Sequence, residues 1–422
     1  MKIGFVGLGK LGLPVAVAID YKGHDVLGYD VNPNVTSDKT AKELLYTKEC
    51  GITGIDSIEP LLETSKVRFS RNLKSVLDHG DCIFVAVQTP HQPLYEGITR
   101  LPKTRSDFDY SYLIECMENI SNEADELNKD IIVVIISTVL PGTLRKYILP
   151  ILSKHISLCY NPYFIAMGTT IRDFLCPEFI LLGVVDDNAK NVVKEFYKTI
   201  TNVKVYETNL ENAELIKVAY NTFISTKVTF VNTIMELCDK LPNTNIDEVT
   251  NALKLSNRRL ISPAYLTGGM GDGGGCHPRD NIALSWLSDE LGLSYNYFDS
   301  IMTFREKQID YFAELIINKH KINLLPIHIL GKAFKAETNL IVGSTSILLK
   351  NILEEKGYVV KMYDPYVDEN ELTLEKEIYF IGTKHEVFST YKFPEGSIVI
   401  DPHRYIKKQE NVEIYYIGSS SI

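Results

Sequence analysis

The chain of 422 residues predicts two doubly wound α/β domains joined by a long central helix. Three observations carry that prediction. Short β-branched runs alternate with helical patterns over the first two hundred residues. A stretch with helical spacing then continues without Gly or Pro, and strand signals return near the C-terminus.

Lys2–Val6, Asp25–Tyr29, Lys66–Phe69, Asp81–Val87 and Ile131–Ile136 read as strands, with three more at Ile156–Cys159, Phe179–Leu182 and Val203–Val205. Most are continuous apolar runs rather than alternating ones, which points to a parallel sheet buried on both faces. From about Asn209, residues Ala213, Ile216, Ala219, Tyr220, Phe223, Phe230 and Ile234 recur at helical spacing until Pro242. That spacing predicts a helix of about thirty residues, against a usual ~11–12, long enough to span between domains. Helical segments run on to about His320. Ile327–Leu330, Tyr358–Tyr363, Glu377–Ile381 and Ser397–Ile400 then read as the strands of a second, smaller α/β unit. The expected division is 1–208, 209–320 and 321–422.

A composition 45% hydrophobic and 23% charged supplies ample material for packed cores and excludes a disordered chain. The net charge of −10 argues against nucleic acid or an anionic membrane as partner. Seven cysteines, odd in number and without CxxC pairs, fit a reducing compartment and neither a disulfide framework nor a metal site. The apolar N-terminus is interrupted by Lys10 and lacks a cleavage signature, so a cytoplasmic protein is expected.

Gly7-Leu8-Gly9-Lys10-Leu11-Gly12 follows the first strand and opens a helix. Gly7 allows the tight turn, Gly9 admits a pyrophosphate to the backbone, and Gly12 lets helix approach strand, as in a Rossmann-like domain. Asp30 ends the second strand, where a carboxylate can accept from both ribose hydroxyls and repels a 2′-phosphate. NAD is therefore expected over NADP.

Gly268–Gly275 delivers a single thiol, Cys276, with Pro278 placed for a helix start, Arg279 beside it and Asp280 one turn on. A thiol so placed is biased toward thiolate. The other six cysteines read as small buried residues. Lys217 and Asn221, four apart on the long helix, share a face that can hold an oxyanion or a water, although a solvated Lys with an incidental Asn fits the same spacing.

These residues and several ordered blocks resemble the UDP-glucose/GDP-mannose dehydrogenase family over essentially the whole chain. The blocks are GLGKLG, VQTP (Val87–Pro90), STVLPGT (Ser137–Thr143), NPYF (Asn161–Phe164), ENAELIKVAYNTF (Glu211–Phe223), GGGCHPRD, GKAFK (Gly331–Lys335), YDP (Tyr363–Pro365) and IDPHR (Ile400–Arg404). The resemblance implies oxidation of a nucleotide-sugar C6 alcohol to a carboxylate with two NAD. Cys276 would capture the aldehyde as a thiohemiacetal that is oxidised to a thioester and hydrolysed. Lys217 would stabilise the oxyanion, Asn221 and Asp280 would handle water and protons, and Thr138 would sit beside the nicotinamide. Lys10, Leu11, Thr89 and Pro90 would complete the cofactor contacts. The resemblance also implies substrate contacts from Tyr163, Phe164, Tyr265, Gly271, Phe334, Lys335 and Arg404, with Arg259 reaching in from a second subunit of a homodimer.

The sequence departs from the family pattern at several positions. Tyr163 and Met167 stand where acidic residues are usual, and Val35 and Val342 where basic ones are. Arg279 replaces a Lys, and His277 an apolar residue. UDP-glucose is the first expectation for substrate, with a UDP-N-acetylhexosamine next. A two-electron hydroxyacid dehydrogenase and a turnover-deficient binding protein are the competing readings.

Overall fold

The computed structural model describes residues 1–9, 11–33, 64–90, 107–165, 169–221, 241–260, 289–339 and 343–417, with isolated positions between them. It divides into two units, residues 1–225 and 226–422.

The first unit is built on an eight-stranded sheet. Its strands are β1 (Lys2–Val6), β2 (Asp25–Tyr29), β3 (Arg68–Ser70), β4 (Cys82–Val85), β5 (Ile131–Ile135), β6 (Ile156–Tyr160), β7 (Ile180–Val184) and β8 (Val205–Thr208). All eight expected strands are present, in the order β3-β2-β1-β4-β5-β6-β7-β8. β4 and β5 are buried at every residue, as continuous apolar runs require. The helices cover both faces. They are α1 (Gly12–Tyr21), α2 (Leu73–His79), α3 (Ser111–Leu127), α4 (Thr170–Leu175) and α5 (Asp187–Ile200). Leu113, Met117, Ile120 and Ala124 form the buried stripe of α3. In α5, the Asp186 carboxylate caps the helix by accepting from the Ala189 N–H at 2.8 Å.

The wholly parallel sheet expected from the sequence is corrected at one seam. β6 pairs with β7 antiparallel, through Cys159↔Val184 and Tyr160↔Gly183. Apolar runs report burial but not direction, because both directions bury the same side chains. Continued past β6, this register brings Phe164 beside Phe179, whose rings lie 4.8 Å apart. The reversal thus gathers two loop segments at one end of the sheet.

After β8 the chain enters α6, helical from 210 to 221 and again at 223, 226 and 230. The rest of the expected thirty-residue span lies outside the described residues. Asn209 caps α6, its side-chain oxygen accepting from the Asn212 N–H at 2.9 Å. Leu210 and Ala213 bury the start of α6 against the sheet. A Cβ on Gly183 would lie 2.9 Å from that of Ala213, so the glycine sets how closely helix meets strand.

The second unit contains α7 (Ile246–Lys254), the 27-residue α8 (Tyr297–Asn323), α9 (Thr345–Glu355) and a parallel sheet. Its strands β9 (Ile327–Leu330), β10 (Val360–Tyr363), β11 (Ile378–Ile381), β12 (Ile398–Asp401) and β13 (Glu413–Tyr416) are ordered β10-β9-β11-β12-β13. Four strands were expected. The fifth, β13, is a half-exposed edge strand.

Gly12 shows how tightly the first crossover is set. A Cβ there would lie 1.9 Å from the Gly7 carbonyl oxygen. Gly12→Ala should destabilise the first unit by about 1–3 kcal/mol through overpacking. It should also weaken NAD binding, read by urea unfolding and NAD titration; unchanged values would refute the packing role.

Candidate active site

In the first unit the strand order reverses between β1 and β4, the place where open α/β sheets bind ligands. Gly7 turns there with a φ of +89°, a conformation side-chain-bearing residues avoid. Above Gly9 an added Cβ would meet no atom within 4 Å among the described residues. A cleft of about 500 Å³ opens there, its lining including Gly7, Gly9, Asp30, Val35 and Val87. The Asp30 carboxylate accepts from the Leu8 N–H and the Asn32 N–H, each at 2.8 Å. A carboxylate has about four acceptor positions, so two remain for ribose hydroxyls. NAD fits this cleft: backbone lies open to a pyrophosphate, and an anionic end is placed for the ribose. Lys10 lies outside the described residues, and Leu11 stands at the start of α1, packed against the core.

Thr89 and Thr138 meet. The Thr89 hydroxyl donates to the Thr138 carbonyl at 2.6 Å, and the Ser137 hydroxyl donates to the Val87 carbonyl. Pro90 continues this strand-end loop, its carbonyl accepting from the Asp109 N–H at 2.7 Å. The loop after β5 therefore lies along the loop after β4. Its far end is held by Glu214 of α6, which the sequence reading passed over. Glu214 stands three residues before Lys217, and the i, i+3 spacing would have placed the two on one helix face.

Lys217 is only 8% exposed. Its ammonium stands 5.2 Å from the Phe164 ring centroid and has no carboxylate within 4 Å among the described residues. Burial lowers its pKa from the usual lysine value. It lines a cavity of about 260 Å³ with Asn221, Tyr220, Phe164, Asp173 and Glu178. The Tyr220 ring packs at a tilt against Phe164, their centroids 4.6 Å apart. Its phenol is pushed up by burial and then by the charges of Glu178 and Asp173. The solvated-lysine alternative is thereby set aside, and the expected neighbours Lys217, Asn221 and Phe164 are brought together.

Two expectations are corrected. Tyr163 does not line this cavity: it belongs to the core cluster, 8% exposed, with its ring 5.7 Å from that of Phe174. Tyr163 and Phe164 are adjacent residues of the loop after β6, and while Phe164 lines the cavity Tyr163 packs inward. Burial pushes its phenol well above the ordinary tyrosine value, which removes it as a base. Cys176, read as a small buried residue, is instead exposed and lines the Lys217 cavity, because it follows the last turn of α4 at the rim. Cys82 and Cys159 are buried as expected.

In the second unit, GKAFK follows β9 and IDPHR runs out of the end of β12, both at carboxyl ends of parallel strands. The buried Asp364 carboxylate accepts from the Lys332 and Ala333 N–H groups at 2.7 and 2.9 Å, fixing the loop that presents Phe334 and the exposed Lys335. Asp401 accepts from the N–H groups of His403, Arg404, Tyr405 and Ile406. That holds Arg404 at a φ of +57°, with its guanidinium donating to the Pro402 and Ile417 carbonyls. Arg259 is exposed after the end of α7. Cys276, His277, Arg279, Asp280, Tyr265, Gly271, Met167 and Val342 lie outside the described residues.

A dinucleotide cleft and a buried ammonium beside an amide, on one unit, define the class: a dinucleotide-dependent dehydrogenase. Three profiles of one family then match in order. The UDP-glucose/GDP-mannose dehydrogenase family's NAD-binding domain matches residues 1–201, its central domain residues 211–307 and its UDP-binding domain residues 328–411. The chain belongs to that family, and NAD is its cofactor. It is 30% identical to the UDP-glucose 6-dehydrogenase of Rickettsia conorii over 88% of this chain and 82% of that one. It is 26% identical to the GDP-mannose 6-dehydrogenase of Pseudomonas aeruginosa, over 87% and 82%. Among solved structures, a ternary complex of GDP-mannose dehydrogenase from Pseudomonas aeruginosa superposes with a TM-score of 0.83 at 23% identity, covering 98% of this chain and 99% of that one, a likeness of fold. No described helix is long and apolar enough to cross a membrane.

Lys217→Met should stabilise the protein at neutral pH by about 1 kcal/mol, or ~2–4 °C in melting temperature, while abolishing turnover. The sign follows from the lowered pKa: the unfolded chain keeps the lysine proton where the folded one has lost it, so wild-type stability rises with pH across that window. The variant lacks that rise, and a variant that melts lower than wild type would overturn the assignment of an uncompensated charge. Tyr163→Phe should retain kcat within about threefold; a loss beyond tenfold would restore Tyr163 to the reacting groups.

Proposed function

We propose that this enzyme oxidises the C6 hydroxyl of a nucleotide sugar, UDP-glucose first among candidates, to the carboxylate in a four-electron reaction through Cys276. The observation that carries the reading is the buried Lys217 ammonium beside Asn221, with no carboxylate within 4 Å of it among the described residues. A site that keeps a cation dry and unpaired is prepared for negative charge developing on a substrate oxygen.

The residues take these roles. Gly7, Gly9, Leu11, Gly12 and Asp30 hold the dinucleotide, with Lys10, Thr89 and Pro90 at its edge and Thr138 beside the nicotinamide. When bound, NAD supplies the hydride acceptor, and two per sugar account for four electrons. The C6 alcohol gives up a hydride and a proton to become the aldehyde. The Cys276 thiolate adds to the aldehyde carbon, forming a C–S bond and an alkoxide that Lys217 stabilises. Loss of a second hydride from C6 leaves a thioester. Water then adds, the C–S bond breaks, and the thiolate leaves as the carboxylate forms. Asn221 orients the water and Asp280 carries the proton. With Tyr163 in the core, Asp173 and Glu178 are the carboxylates that share the Lys217 cavity.

Phe164, Tyr265, Gly271 and Phe334 line the sugar nucleotide, and Lys335 and Arg404 meet its diphosphate. Arg259 contributes from the second subunit of a homodimer. A cytoplasmic setting keeps Cys276 reduced.

A panel of UDP- and GDP-sugars with NAD, followed at the reduced nicotinamide band, tests the reading. It should give two NADH per sugar consumed for one member of the panel. One NADH per sugar would favour a two-electron dehydrogenase, and binding without NADH at any pH would favour a turnover-deficient protein. Cys276→Ser should abolish acid formation with NAD affinity within about threefold of wild type.

A further inference from the structure

Glu214 is fully buried, yet it is an acid on the helix that carries the reacting groups. Glu214, Lys217 and Asn221 stand at i, i+3 and i+7, so they share one face of α6. Lys217 and Asn221 turn toward the cavity, while Glu214, one turn earlier, reaches the loop after β5. Its Oε2 accepts from the Gly142 N–H at 2.5 Å and its Oε1 from the Leu144 N–H at 2.9 Å. Those two amides flank the turn at Gly142, whose φ is +89°; the Gly142 amide is half-buried, and the buried Leu144 amide would otherwise be a donor without an acceptor. The other end of the loop is tied by the Thr89 hydroxyl to the Thr138 carbonyl. The exposed Arg145–Glu211 ion pair nearby adds little by comparison.

We propose that Glu214 is a positioning residue, a two-pronged clamp that locks the Thr138 loop to the helix bearing Lys217 and Asn221, so that nicotinamide-side and oxyanion-side groups keep one fixed separation. This rests on the dehydrogenase reading above. The physical argument is geometric. Lys217 and Thr138 lie on separate elements, and the buried Glu214 side chain bonds the helix of the one to the loop of the other, at Gly142 and Leu144. Charge-assisted hydrogen bonds from a carboxylate are about twice as strong as neutral ones, and a misplacement of ~1 Å can lower a rate about a hundredfold. The carboxylate touches no reacting atom, so its effect passes through Thr138 and Lys217.

Glu214→Gln keeps the shape but turns one acceptor into a donor facing an N–H. It should lower kcat by about 10- to 100-fold per folded enzyme, leave the dissociation constant for NAD within about threefold, and raise the primary isotope effect with a C6-deuterated substrate. Hydrogen exchange at the Gly142 and Leu144 amides should speed up at least tenfold in the variant. Glu214→Asp, with its charge kept but its reach shortened, should fall between wild type and Glu214→Gln in both readouts. Faster exchange with unchanged kcat and isotope effect would overturn the positioning role and leave Glu214 a purely structural cap. Unchanged exchange would overturn the clamp itself. Should neither variant fold, wild-type exchange decides: slow exchange at both amides supports the clamp and fast exchange overturns it. Failure of the dehydrogenase reading is distinguishable, because it would appear as wild-type enzyme that yields no NADH from any nucleotide sugar while the exchange result stands.

Discussion

A lysine ammonium buried at a cavity wall, with no carboxylate within 4 Å of it among the described residues, is the constraint around which the first unit is arranged. Left in a folded interior, an unpaired charge works against stability unless something else fills the deficit. Around Lys217 the compensation is packing: Leu210 and Ala213 anchor the start of α6, Gly183 lets the helix close on β7, and Phe164, Phe179 and Tyr220 pack about the charge. Stability spent in this way becomes affinity for the negative charge of a reaction intermediate. A surface lysine, already satisfied by water, has no such affinity to offer.

The acids of the protein perform a complementary task. Asp30, Glu214, Asp364 and Asp401 each accept backbone N–H groups of a loop at the end of a strand. Loops lack the internal ladder of a strand or helix, so a single carboxylate that collects two to four donors does the work of a missing hydrogen-bonded turn. In both units this happens at carboxyl ends of strands, where side chains meant for ligand must be presented from irregular backbone. The precision of the site is thus set by carboxylates that hold loop backbone, Asp30 alone among them also lining the dinucleotide cleft.

The antiparallel seam between β6 and β7 has a similar consequence. A parallel arrangement would have needed a full crossover between these strands. The reversal instead brings the NPYF and CPEF segments to one edge, so Phe164, Cys176, Glu178 and Lys217 share a cavity although they come from three separate stretches of chain. Tyr163, next to Phe164, packs instead into the core beside Phe174.

Much of this was legible in the residues alone. The eight strands of the first unit follow from apolar runs of strand length, and the dinucleotide turn follows from three glycines whose spacing answers steric needs a Cβ cannot meet. Lys217 and Asn221 on one face follow from helical periodicity, because these are local properties of the chain. What tertiary structure decided is what periodicity cannot encode: the direction of β7, the inward face of Tyr163, the exposure of Cys176, the edge strand β13 and the reach of Glu214 to a loop seventy residues earlier in the chain. Each depends on which surfaces meet after folding, and burial, unlike spacing, is a property of pairs of segments rather than of any one of them.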